Sequence, residues 1–226
     1  MSSVMRAFIV LALFASLSFT SGFCDDTVPG SWRKADLEQV VKKPALYLYP
    51  ESKTTVEVRL GPKGRITKTI PEYKDKWKVT VDSKGRIDRK YRYLFYEAQL
   101  DTPIAQPQEG WCVRSGELGT WMRSHLPLFG LNSREAKDFR AYWLKNLPKS
   151  TCWIIRMIQP EVVDDQLGLI IRPEPKSLLR VLLHFTPSKE MVKLREPEIR
   201  RFEREGFVAV EWGGIIGSTD RKEMVK

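Results

Sequence analysis

The chain has 226 residues, with 38 Lys and Arg against 28 Asp and Glu, for a formal net charge of +10. Hydrophobic residues make up 42% and there are seven tryptophans, which excludes an intrinsically disordered polypeptide. Acidic residues alternate with basic ones, as in Lys74-Asp75-Lys76-Trp77-Lys78 and Arg195–Glu205. The charge is therefore a diffuse field that favours anionic polymers, anionic membrane surfaces or acidic glycans without selecting among them.

Residues 1–22 have the layout of a secretory signal peptide: Arg6, an apolar core Ala7–Phe19, then the small residues Thr20, Ser21 and Gly22. The apolar core spans 13 residues, short of the roughly 20 that a relaxed membrane helix needs, and no later stretch approaches that length. Export without a transmembrane segment is the expectation. Residues 23–42 read as a polar leader with a short helix around Asp36–Val41.

Strand signals follow in quick succession. Ala45–Tyr49 is apolar and aromatic up to Pro50. Thr54–Leu60 alternates, with Val56, Val58 and Leu60 on one face. Gly61-Pro62-Lys63-Gly64 turns the chain into Arg65–Ile70. Lys76–Val81 sets Trp77, Val79 and Val81 on one face, Asp82-Ser83-Lys84-Gly85 makes the next turn, and Tyr91–Glu97 is an aromatic strand. These five strands predict an antiparallel meander or half-sandwich.

The period then changes. Gly116–Leu126 reads as a short helix ending before Pro127. Asn132 is placed as an N-cap with Glu135 in capping-box position, and Ala136, Phe139, Trp143 and Leu147 form one apolar stripe that Pro148 ends. Strands return at Cys152–Gln159, Gly168–Arg172, Leu178–Phe185 and Phe207–Trp212, the last two separated by the charged connection Ser188–Glu205. Residues 218–226 are a polar tail. The predicted class is α+β: a meander followed by a capped amphipathic helix packed on further strands, one domain over 43–217.

Chemistry-bearing residues are few. His125 and His184 are the only histidines, and neither sits in a nucleophile motif or a metal-ligand cluster. No glycine loop suited to cradling phosphate is present, so neither metal nor cofactor is expected. Of the three cysteines, Cys24 lies beside the cleavage region, leaving Cys112 and Cys152 as a pair for a disulfide. Such a bridge would close a loop of about 40 residues and add about 4 kcal/mol in the chain-entropy account. Two buried free thiols are the other reading.

Glu97 and Glu211 stand among aromatic residues, the setting in which glycosidases place an acid and a base. The other reading pairs each with an arginine such as Arg172 or Arg180. Trp77, Tyr91, Tyr93, Trp111 and Trp212 are candidate binding rings, and Lys90 and Arg92 interleave with the aromatic strand. Stacking of this kind suits glycans, and the cations suit polyanions; nucleic acid is not the expected partner of an exported protein.

Several phrases occur together: Lys43-Pro44-Ala45-Leu46-Tyr47-Leu48-Tyr49-Pro50-Glu51, then Ile70-Pro71-Glu72-Tyr73 and Trp77-Lys78-Val79. Tyr93-Leu94-Phe95-Tyr96-Glu97, Gly130-Leu131-Asn132-Ser133-Arg134-Glu135-Ala136 and Val210-Glu211-Trp212-Gly213-Gly214 follow. In this order, from Lys43 to Gly214, the chain resembles a widespread group of bacterial, often exported or cell-surface, uncharacterised proteins. The resemblance implies one domain containing both halves and supplies no catalytic residue. Tyr96 and Ala98 depart from the Trp and Gly that the group carries around Glu97, and Cys112 and Cys152 are particular to this chain.

The expected function is an exported non-catalytic binding or structural domain, at the cell surface or outside the cell, with a glycan or other anionic polymer as ligand. A carboxylate-based hydrolase acting on polysaccharide through Glu97 and Glu211 is the alternative. A protein-interaction module with an acidic partner is the third class.

Overall fold

Along β1 (Gln39–Tyr49), Leu46 and Leu48 alternate with Ala45, Tyr47 and Tyr49. Successive side chains point to opposite faces of a strand, so β1 feeds two separate cores. The computed structural model describes residues 39–218. Nine further strands follow β1: β2 (Thr54–Pro62), β3 (Gly64–Ile70), β4 (Trp77–Val81), β5 (Leu94–Leu100), β6 (Trp111–Arg114), β7 (Cys152–Met157), β8 (Leu167–Arg172), β9 (Ser177–Ser188) and β10 (Val208–Ile216). The helices are α1 (Leu118–His125), α2 (Ser133–Asn146) and α3 (Pro160–Gln166). This is the α+β class expected from the sequence.

Seven strands form one sheet in the order β3-β5-β1-β10-β9-β7-β6, and three form a second in the order β4-β2-β8. All pairings are antiparallel except β10 with β9. One face of the large sheet offers Leu46, Leu48, Leu94, Tyr96, Leu182 and Ala209 to Val56, Val58, Trp77 and Val79 of the small one. The other face packs Tyr47, Val210, Trp212 and Phe185 against Met122 of α1 and Phe139 and Trp143 of α2. Complete burial of a large apolar side chain contributes roughly 1.5–3 kcal/mol, and both layers are rich in them.

Helix α2 begins as the sequence predicts. The Asn132 side chain accepts from the backbone N–H groups of Arg134 and Glu135, both at 3.0 Å, and Glu135 accepts from the Asn132 N–H at 2.8 Å. A cap of this kind is worth about 1 kcal/mol.

Two expectations are corrected, and two short elements, β6 and α3, were not expected at all. The described part of the helix expected at Asp36–Val41 is strand: Gln39 lies opposite Leu100 and Val41 opposite Ile215. β2 and β3 follow each other in the chain but belong to different sheets, so the first half is dealt between two layers instead of forming a simple meander. Alternation fixes which residues share a face, not which strand lies alongside. β6 and α3 give little periodic signal, being four and seven residues long. The signal peptide, Cys24 and the tail beyond Ser218 lie outside the described residues.

Candidate binding cleft

The two glutamates proposed as an acid and base pair are not brought together. Glu211 lies opposite Leu46 on the face that meets the small sheet, whereas Glu97 follows Tyr96 and takes the opposite face, near Tyr142 of α2. Glu211 is 3% exposed. It accepts from the Tyr96 hydroxyl at 2.9 Å and from Arg180 Nε at 2.8 Å. Arg180 also donates to Asp164 and to the carbonyls of Val163 and Leu167 at the end of α3. The arginine pairing read from the sequence is thus realised at Arg180: a buried carboxylate, a guanidinium and a phenol fasten α3 to the interior. Burial, then the Glu211 charge, pushes the Tyr96 hydroxyl well above its usual range.

Of the five candidate rings, three are interior. Trp77 is 2% exposed and donates its indole N–H to the Pro71 carbonyl at 3.0 Å. Trp212 is fully buried, edge-on to Phe139 at 5.1 Å, and Trp111 is 5% exposed within a cluster with Trp121, His125 and Phe129. Their area is spent on packing. Tyr91 and Tyr93 remain half-exposed, and both line a cleft of about 260 Å³ with Lys43, Ile70, Lys90, Arg92 and Phe95.

Lys43 organises this cleft. Its ammonium sits 4.4 Å from the centre of the Tyr93 ring, 4.2 Å from Phe95 and 5.6 Å from Tyr142, and donates to the Tyr93 hydroxyl at 3.0 Å. Lys68 approaches Phe95 at 5.7 Å and Lys90 approaches Tyr91 at 5.0 Å. Arg92 instead pairs with Asp138 at 2.9 Å, and Asp138 also accepts from Tyr47 at 2.9 Å. Burial, then the Asp138 charge, holds the Tyr47 hydroxyl far above the usual phenol range. Lys43 and Lys90 have no ion-pair partner among the described residues.

The backbone beneath Lys43 is strained. The register of β1 shifts between Val41 and Ala45 against β5, and between Lys42 and Ala45 against β10, so Lys42–Pro44 form a bulge. Lys43 has φ of 58°, disfavoured for a side chain with a Cβ. It also precedes Pro44, which restricts its partner toward extended conformations. Gly213 opposite makes the bulge possible: a Cβ there would lie 3.2 Å from Pro44 and 3.3 Å from the Lys42 carbonyl oxygen. The first glycine of Val210-Glu211-Trp212-Gly213-Gly214 therefore makes room for the lysine's mount, and the second, Gly214, for the Trp143 ring. Sequence reasoning missed Lys43, which stands just ahead of the strand expected at Ala45–Tyr49; its one local signal is the lysine directly before Pro44.

Set against protein-family models, curated proteins and solved structures, the chain matches none.

Cys112 and Cys152 are free thiols, not the expected disulfide. They lie on paired strands but diagonally, Cys112 opposite Ile154 and Arg114 opposite Cys152. Burial, then the neighbouring Cys112, raises the Cys152 thiol above its usual range. His184 is 1% exposed, bonded to Thr186, and its pKa is pushed down to about 4, first by burial and then by Arg156. Among the described residues no group of three or more His, Cys, Asp or Glu is placed to hold a metal ion, and no helix is long and apolar enough to cross a membrane.

Proposed function

We propose that this protein is an exported, non-catalytic domain that binds an acidic glycan in the Lys43 cleft. One observation carries the reading: a lysine is held in a left-handed conformation directly before proline, with its ammonium against aromatic rings and no carboxylate partner. Strained residues of this kind persist where the surrounding structure over-determines them, and they cluster at functional positions. An ammonium has three donors; the Tyr93 hydroxyl takes one, leaving others for a ligand. A pyranose ring suits the Tyr91 and Tyr93 faces, and its carboxylate or sulfate suits Lys43, Lys90 and the Arg92 side of the cleft. The signal-peptide layout of residues 1–22 and the net positive charge are consistent with an anionic ligand met outside the cell.

The hydrolase alternative draws no support from Glu97 and Glu211, which lie on opposite sides of one sheet. Calorimetric titration with digalacturonate, an acidic disaccharide, against cellobiose, a neutral one, tests the binding reading. Wild-type protein should bind the acidic sugar and not the neutral one, and Lys43→Gly should abolish that binding while the fold is retained. Unchanged digalacturonate affinity in Lys43→Gly overturns the proposal.

A further inference from the structure

Three non-glycine residues among those described have positive φ: Lys43 at 58°, Asp88 at 48° and Arg89 at 56°. Lys43 lines the cleft already described, and Asp88 and Arg89 line a second one, of about 410 Å³, with Arg86, Lys53, Asp82 and Thr80. The two clefts are joined by one turn. Lys90 donates its backbone N–H to the Ile87 carbonyl at 2.9 Å, with Asp88 and Arg89 at the two central positions. Turns with both central residues at positive φ strongly favour Asn and Gly, so an arginine there carries a conformational cost. Lys90 and Tyr91, on the far side of this turn, already belong to the first cleft.

The charges of the second cleft are unevenly committed. Asp88 accepts from the Thr80 N–H at 2.7 Å, and Asp82 accepts from the Lys84 and Arg86 N–H groups at 3.0 and 2.8 Å. Both carboxylates are thus turned to holding the loop. Lys53, Arg86 and Arg89 are exposed and make no direct ion pair among the described residues. Forked arginine donors suit carboxylate and sulfate groups, which accept two parallel hydrogen bonds.

From this we infer that the two clefts form one track for a linear acidic polysaccharide, with Arg86, Arg89 and Lys53 as a second anion subsite beside the Lys43 subsite. The inference rests on the acidic-glycan reading and adds to it the length of the ligand. Arg89 lines the second cleft and its chain neighbour Lys90 the first, so consecutive charged sugars would cross this turn.

The test uses the full chain, digalacturonate and long polygalacturonate, with Arg86→Gln combined with Arg89→Asn; asparagine tolerates the left-handed region, so the turn is retained. Wild-type protein should prefer the long polymer, and the double variant should lose about tenfold of its affinity for that polymer while binding digalacturonate as wild type does. Arg89→Lys should restore part of the loss. A double variant that binds the long polymer like wild type overturns the track, and it leaves the Lys43 cleft standing if Lys43→Gly still abolishes digalacturonate binding. If Lys43→Gly leaves digalacturonate binding intact, the underlying reading falls instead. Polyadenylate competing as well as polygalacturonate at matched charge overturns the glycan class, and dextran sulfate separates sulfate from carboxylate preference.

Discussion

The protein holds two conspicuous charges in opposite ways. Glu211 sits in the interior between the sheets and accepts from Tyr96 and from Arg180, whose remaining N–H groups donate to the carbonyls at the end of α3. Lys43 sits at a bulge with a strained backbone, stacked on rings and lacking a carboxylate. The first arrangement is complete and leaves nothing for a ligand to satisfy. The second retains unused donors despite its conformational cost. A charged residue among aromatics in a sequence takes its meaning from this difference, and Glu211 and Lys43 fall on opposite sides of it.

The largest test of the comparison is at the interior. Glu211→Gln leaves the Arg180 guanidinium without its buried anion and with only the exposed Asp164 carboxylate, and loss of one partner from a buried pair typically costs about 3–5 kcal/mol. Urea denaturation should show a loss of that order; a change below about 1 kcal/mol would mean that the pair is not the fastening described above.

His184 lies on the same face of β9 as Arg180 and is buried in its neutral form. With a folded pKa near 4 against 6.5, the unfolded chain binds the proton first as acid is added. Stability from this group is fully present above about pH 6.5 and declines as pH falls toward 4, by up to about 3 kcal/mol. His184→Gln should flatten that slope between pH 7 and 4.5 in urea midpoints. An equally steep slope in the variant would place the acid sensitivity elsewhere.

At the cleft, Gly213→Ala drives a methyl group against Pro44 and the Lys42 carbonyl. The expected cost is about 1–2 kcal/mol, together with weaker acidic-glycan binding because the lysine's mount shifts. Stability and affinity both at wild-type values would show that the bulge does not depend on the glycine.

The smallest effect is the most specific. Lys43→Ala and Lys43→Gly both remove the ammonium, but only alanine keeps a Cβ in the left-handed region, so the glycine variant should be the more stable by about 1 kcal/mol. Equal melting temperatures for the two would argue against backbone strain at this position.

The sequence revealed most where information is local. The Asn132–Glu135 capping box and the stripe through Phe139 and Trp143 specify α2 within a few residues, and alternation in Thr54–Leu60 and Lys76–Val81 locates β2 and β4. It revealed least where partners are distant in the chain. Nothing near Trp77 or Trp212 says that a second layer covers them, so five candidate rings shrink to Tyr91 and Tyr93. Cys112 and Cys152 have a spacing that permits a bridge, yet their diagonal register is set by β6 and β7. Glu97 and Glu211 resemble each other in local setting, and only the parity of their strands against β1 sends them to opposite faces. Lys43 was not among the candidates read from the sequence, because its φ belongs to a bulge packed against Gly213, 170 positions further on.

Strand β10 pairs with both β1 and β9, so the last of the described strands in chain order occupies the middle of the large sheet. Until Val208–Ile216 has been synthesised, β1 and β9 have no common neighbour and the sheet stays in two pieces, each with an open edge. The β1–β10 pairing that joins the pieces links segments far apart in the sequence, the kind of contact that is costly to form.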